Sequence, residues 1–125
     1  MITQLKLKIL AFGSRIMLQR LIARANPEEV TITACSESTT ADDVLQKERF
    51  DMVIVENSFE DAEGICRNIT NKAGLPVAIM FQPYSTDWKS LRTWEVDGYL
   101  PEEAGSAELM ARIKAFSRRK PVAVR

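Results

Sequence analysis

The stretch Phe50-Asp51-Met52-Val53-Ile54-Val55-Glu56 decides how this chain is read. Met52 to Val55 is an unbroken apolar run of strand length, rich in β-branched residues. A strand that is apolar on both sides must be covered on both sides, which is the condition of a parallel sheet with helices packed on each face. The run stops at one carboxylate, Glu56. In open α/β sheets, ligands bind beyond the carboxyl ends of the strands. Glu56 is therefore the first candidate functional residue.

Outward from this stretch, short apolar runs alternate with amphipathic ones. Leu7 to Phe12 is a second fully covered strand, broken by Gly13-Ser14. Ser14 is placed to cap a helix running to about Ala25. Its apolar face is Leu18, Leu21, Ile22 and Ala25, leaving Arg15, Gln19, Arg20 and Arg24 to solvent, and Asn26-Pro27 ends it. Val30 to Ala34 alternates as a partly exposed edge strand. Thr40 to Gln46 predicts a short helix with Val44 and Leu45 inward. Glu60 to Thr70 predicts a helix with Ile65, Cys66 and Ile69 as its core stripe, stopped by Gly74. Pro76 to Phe81 is a third buried strand, with proline at its start, where a missing N–H does least harm. Thr86 to about Glu95 predicts a fourth helix capped by Ser85 or Thr86. Gly98 to Leu100 is a short last strand. Ser106 caps a final helix with Leu109, Ile113 and Phe116 inward. Five strand–helix units in succession imply a five-stranded parallel sheet with helices on both faces. Right-handed crossovers and one reversal of winding give the flavodoxin-like order 2-1-3-4-5. Gly13, Ser14 and Glu56 then meet at the carboxyl ends of the first and third strands.

The bulk numbers narrow the function. A chain of 125 residues fits one domain with one sizeable core. The expected division is a domain over 1–119 and a tail or linker start over 120–125. Net charge is zero, so no global basic field draws the domain to nucleic acid. The apolar runs are far shorter than the roughly 20 residues that cross a bilayer, and no signal-peptide pattern opens the chain. A cytoplasmic location is expected. Cys35 and Cys66 make neither a disulfide framework nor a metal-ligand spacing and read as buried thiols. The absence of histidine excludes a Ser-His-Asp triad and any histidine-bound metal.

Four segments resemble, in order and spacing, the receiver domains of bacterial response regulators. They are Lys8-Ile9-Leu10-Ala11-Phe12, the Phe50–Glu56 stretch, Leu75-Pro76-Val77-Ala78-Ile79-Met80, and Asp97-Gly98-Tyr99-Leu100-Pro101 followed by Glu108-Leu109-Met110-Ala111-Arg112-Ile113. The resemblance implies a phosphate-accepting aspartate at the end of the third strand and an acidic pair that helps hold Mg²⁺. It also implies a hydroxyl residue and a lysine that contact the phosphoryl group. At those positions this chain has Glu56, Gly13-Ser14, Phe81 and Glu102. Mg²⁺ requires hard oxygen ligands, and phosphoryl transfer requires developing charge to be neutralised. Ser14 is one weak neutral ligand, Phe81 donates no hydrogen bond, and Glu102 puts an anion where a cation belongs. No metal and no cofactor are expected.

Single residues carry sharp and plain readings side by side. Glu56 reads as a partial mimic of an acyl phosphate, paired with Arg15, or as a solvated carboxylate at a strand end. Tyr99 matches the family's switching aromatic, or is a half-buried packing tyrosine beside Phe81. Trp88 and Trp94 lie about 120° apart on the expected fourth helix, which makes Trp94 the core member and Trp88 an exposed anchor or a residue packed on the preceding loop. Arg118-Arg119-Lys120 reads as a nucleic-acid contact or as a basic helix end followed by a linker. Glu60, Asp61 and Glu63 read as metal ligands near the pocket or as acidic residues that favour the start of the third helix.

The resemblance therefore implies a pseudo-receiver that does not accept phosphate and is not an enzyme. It would act by protein interaction, through a partner or a homodimer on the face of the fourth helix, fifth strand and fifth helix: Trp88, Lys89, Arg92, Tyr99, Glu102 and Arg112. It would stand before a C-terminal output domain, as in a transcription regulator, without itself binding nucleic acid or membrane. Two alternatives remain at this point. One is a small flavodoxin-like nucleotide-binding domain or enzyme, although the first loop has neither GxGxxG nor GxxxxGK[ST]. The other is a receiver that takes phosphate elsewhere, on Ser14.

Overall fold

In the computed structural model, residues 6–36, 41–83 and 87–118 are described. The elements are β1 (Leu7–Phe12), α1 (Arg15–Arg24), β2 (Val30–Cys35), α2 (Ala41–Lys47) and β3 (Met52–Glu56). There follow α3 (Ala62–Asn68), a π-helical turn (Ile69–Ala73), β4 (Val77–Phe81), α4 (Trp88–Leu91), β5 (Gly98–Pro101) and α5 (Ser106–Ser117). The strands form one parallel sheet in the order β2-β1-β3-β4-β5, the order the sequence pattern predicts. No helix among the described residues is long and apolar enough to cross a membrane.

Strands β3 and β4 are buried at every position because both faces are covered. One apolar layer joins Ile9, Ala11, Met52, Ile54, Ala78 and Met80 to α1 and α5. The other joins Leu10, Phe12, Val53, Val55, Val77 and Ile79 to α3 and α4. Alternate residues of each strand feed opposite layers, as the two-residue period of a strand requires. Gly74 ends the π-turn at φ 65°, a left-handed conformation that glycine adopts without steric cost.

Several expectations need correction. The fourth helix is one turn, Trp88–Leu91, capped by Asp87, whose Oδ1 accepts from Ser90 N at 3.4 Å. Beyond it, Thr93 N and Trp94 N bond to carbonyls three residues back, and Thr93 Oγ1 donates to Ser90 O at 2.7 Å. This tightened turn replaces the helix expected to Glu95. Trp94 therefore lies past the helix end, half-buried against the second layer, and is not the core residue that helical phase implied. Ile22, expected on the buried face of α1, is 48% exposed, and Met17 takes its place in the core beside Leu18, Leu21 and Ala25. The last helix is capped from Gly105, with Ser106 as its first residue. Ser85 and Thr86, the start of α2 at Thr40, residues 119 and 120 of the basic cluster, and the tail over 120–125 lie outside the described residues.

Candidate functional site

The site is set by where the strands stop. Gly13 follows β1, Glu56 ends β3, Phe81 ends β4 and Glu102 follows β5, so all four reach the carboxyl edge of the sheet. Glu102 N donates to Phe81 O at 2.7 Å, and Asn57 N donates to Met80 O at 3.0 Å, which fixes the last residues of neighbouring strands to one another.

Glu56 is only 8% exposed. Its Oε1 accepts from Ser14 N at 2.7 Å, while Ser14 Oγ accepts from Met17 N at 3.2 Å and caps α1. The carboxylate thus binds the positive end of a helix through the chain's own backbone. The pairing of Glu56 with Arg15 does not form; Arg15 is exposed and enters no ion pair among the described residues. Glycine at position 13 leaves room for this close approach. A Cβ there would collide with Met17 Cε and stand 3.0 Å from Glu56 Oε1.

Glu102 is also 8% exposed but is held from a distance in sequence. Its Oε1 lies 3.4 Å from Gln82 Nε2 and 3.6 Å from Arg20 Nη1, and its Oε2 is buried without a partner. Arg24 Nη1 donates to the carbonyls of Glu102, at 2.6 Å, and Ala104, tying the loop after β5 to α1. Arg20, Arg24 and Gln82 escape a reading of the sequence. Arg20 and Arg24 show only the spacing of a solvated pair on one helix face, and Arg24 Nε also donates to Arg20 O at 3.1 Å.

Phe81 is buried and packs edge-on against Trp88, at 4.7 Å between centroids, and Tyr99, at 6.4 Å; Trp88 and Tyr99 are 5.7 Å apart. The three rings close on one another, and Tyr99 OH reaches Leu91 O at 3.5 Å. Trp88 remains 39% exposed. Lys89 and Arg92 are exposed beside it. Arg112, on α5, pairs with Glu108 at 3.0 Å and donates to Tyr99 O at 3.4 Å. The acidic run at α3 is dispersed: Asp61 occupies the cap position at φ 60° without a side-chain capping bond, and Glu63 pairs with Arg67 at 3.2 Å. Among the described residues, no group of three or more Asp, Glu, Cys or His is disposed to hold a metal ion. Both cysteines are free and buried, and burial, with Glu63 adding to it, pushes the Cys66 thiol up to about 12.

No family model matches the chain, and no curated protein matches it. Solved structures do. The signal receiver domain of an HD domain-containing protein from Pseudomonas fluorescens Pf-5 superposes with TM-score 0.76 at 18% identity, over 94% of this chain and 90% of that one. A response regulator from Thermotoga maritima gives 0.77 at 17%, over 91% and 99%. The chemotaxis response regulator CheY4 of Vibrio cholerae gives 0.74 at 14%, over 90% and 99%. The chain therefore has the receiver fold.

Proposed function

We propose that this chain is a pseudo-receiver: a receiver fold that does not accept phosphate and acts by protein recognition. The observation that carries this is the bond from Ser14 N to Glu56 Oε1. The strand-end carboxylate is buried against the chain's own helix terminus, beside a glycine and a serine in place of the acidic pair. Glu102 adds a second anion at this edge, and Phe81 replaces a donor with a ring. Among the described residues, an incoming phosphoryl group finds no cluster of Mg²⁺ ligands, and Arg20 at this edge is already paired with Glu102.

The recognition face is α4, β5 and α5. Trp88 presents its exposed edge on a base of Phe81 and Tyr99, flanked by Lys89, Arg92 and Arg112. An aromatic anchor held by other rings loses little entropy on binding, and charges around it set the choice of partner. The occupant is a protein partner or a second copy, with an output domain following in a longer protein. The location is cytoplasmic. Glu56→Asp is expected to remain unlabelled by acetyl phosphate and Mg²⁺, because a restored nucleophile still lacks the metal ligands. Affinity capture tests the face: partners held by the wild type are lost in Trp88→Ala and in the double reversal Arg92→Glu/Arg112→Glu. Labelling of Glu56→Asp, or capture indifferent to both face variants, contradicts the corresponding half of the reading.

A further inference from the structure

The two edges of the sheet are built differently. β5 is a four-residue strand that ends in Pro101, and Arg112 covers its Tyr99 carbonyl. Short length, proline and a cationic cover are the usual protections of an edge strand. β2, at the other end of the sheet, has none of them. Val30-Thr31-Ile32-Thr33-Ala34-Cys35 carries no charge and no proline, and it pairs with β1 in unbroken register from Leu7↔Val30 to Phe12↔Cys35, without a bulge. Leu7 N donates to Glu29 O at 2.9 Å and Gly13 N to Cys35 O at 3.2 Å, so the odd-numbered residues of β2 bond toward β1. Ile32 and Ala34 therefore turn their N–H and C=O groups outward, and no hydrogen bond among the described residues uses them. Val30 N is already taken by Asn26 O at 3.0 Å.

A second feature lies alongside. Arg20 and Arg24 mark the side of α1 that faces β5 and α5. Ile22 is two residues from each, about 200° around the helix, which puts it on the opposite flank, toward β2. It is 48% exposed there, and Ile32 of β2 is half-buried.

We propose that the β2 edge is a self-association surface, on which β2 of a second copy of this chain pairs antiparallel across a two-fold axis. An uncharged strand is its own complement, since no like charges meet across the axis, and a chain of zero net charge has no net repulsion between copies. A two-fold perpendicular to the sheet also sets both α1 helices on the same face, so that each Ile22 is shielded by the other copy. A lone extended peptide would pair with the strand and leave Ile22 in water.

The surface is separate from the aromatic face, and the experiment keeps the two apart. Sedimentation velocity of the full chain, over concentrations up to roughly 1 mM, is expected to show a monomer–dimer equilibrium. Ala34→Lys puts a charge on the edge, and Ala34→Pro deletes an outward N–H while leaving the bonds to β1. Each is expected to weaken dimerisation at least about tenfold, with circular dichroism unchanged. If Ala34→Pro loses its fold, Ala34→Lys decides alone. A dimer formed through the aromatic face instead would be weakened by Trp88→Ala and spared by Ala34→Lys. In the wild type, hydrogen exchange at the Ile32 and Ala34 amides slows with concentration. A wild type that stays monomeric overturns the proposal, whether or not a foreign peptide binds the strand. So does a dimer that persists in Ala34→Lys, or one that is lost in Trp88→Ala and kept in Ala34→Lys.

Discussion

Glu56 and Glu102 occupy the same edge of the sheet and are equally buried, yet they are held in opposite ways. Glu56 is fixed locally, by the turn from β1 into α1: one backbone N–H meets one oxygen beside Gly13, where a Cβ would press on Met17 Cε and Glu56 Oε1. Glu102 is fixed by distant residues: Arg20 and Gln82 at its side chain and Arg24 at its backbone, with one oxygen left unpartnered. On the proposed reading, the first arrangement occupies the position where phosphate would attach. The second lies in the loop after β5, whose main chain Arg24 ties to α1. The difference teaches that two acidic residues at one edge of a sheet can be unequal in energy. Glu56 is an element of the helix cap, whereas at Glu102 the anchoring is done by Arg24 on the main chain and the carboxylate itself is nearly dispensable.

The contrast yields graded predictions. The largest effect is expected from Arg24→Ala, which strips the carbonyls of Glu102 and Ala104 of a charged donor and should cost about 3 kcal/mol in chemical denaturation. Arg15→Ala, on the exposed start of the same helix, is expected to stay within about 0.5 kcal/mol of the wild type; equal losses would remove the basis of the comparison. Glu56→Ala comes next, at about 1–2 kcal/mol, the scale of a lost helix cap. Glu56→Gln keeps an acceptor for Ser14 N and is expected to recover more than half of it. Glu102→Met is expected to change stability by less than about 1 kcal/mol or to raise it, because a buried carboxylate with an unpaired oxygen is exchanged for an apolar chain of similar length. A loss as large as that of Arg24→Ala would show that the carboxylate, not the main chain, holds the loop.

The smallest effect at neutral pH lies in the opposite layer, at Cys66. Its thiol ionises at about 12 in the folded protein against 9.0 for the unperturbed group. The unfolded chain therefore loses this proton first as pH rises. Stability from the neutral buried thiol is complete below pH 9.0 and is lost progressively between 9.0 and about 12. Cys66→Ala is expected to flatten that alkaline decline when melting temperatures are compared across the interval, with little change at pH 7.

The architecture was legible because unbroken apolar runs such as Met52–Val55 admit few sheets, and their succession with amphipathic helices fixes the topology. The positions facing the carboxyl edge followed from where those runs stop. The fourth helix was not legible in the same way. Its apolar spacing continues to Trp94, but Asp87 starts it late and the bonding at Thr93 and Trp94 ends it early, which moves Trp94 out of the helical phase used to place it. Ile22 shows the limit of periodicity from another side: its angle on α1 puts it at the flank of the buried stripe, where neighbouring elements decide exposure. Nor does an arginine such as Arg24, bonded to a carbonyl 78 residues away, differ in sequence from a solvated one. The protein contacts that hold Glu56 and Glu102 depend on the closed fold and are not visible in the sequence.

The central claim is that this receiver fold does not take up phosphate. Intact-mass spectrometry of the full chain after incubation with acetyl phosphate and Mg²⁺ tests it most directly. The mass is expected to be unchanged under conditions that label a receiver with an intact acidic pair. A stoichiometric gain of one phosphoryl group, at Glu56, Ser14 or elsewhere, would contradict it.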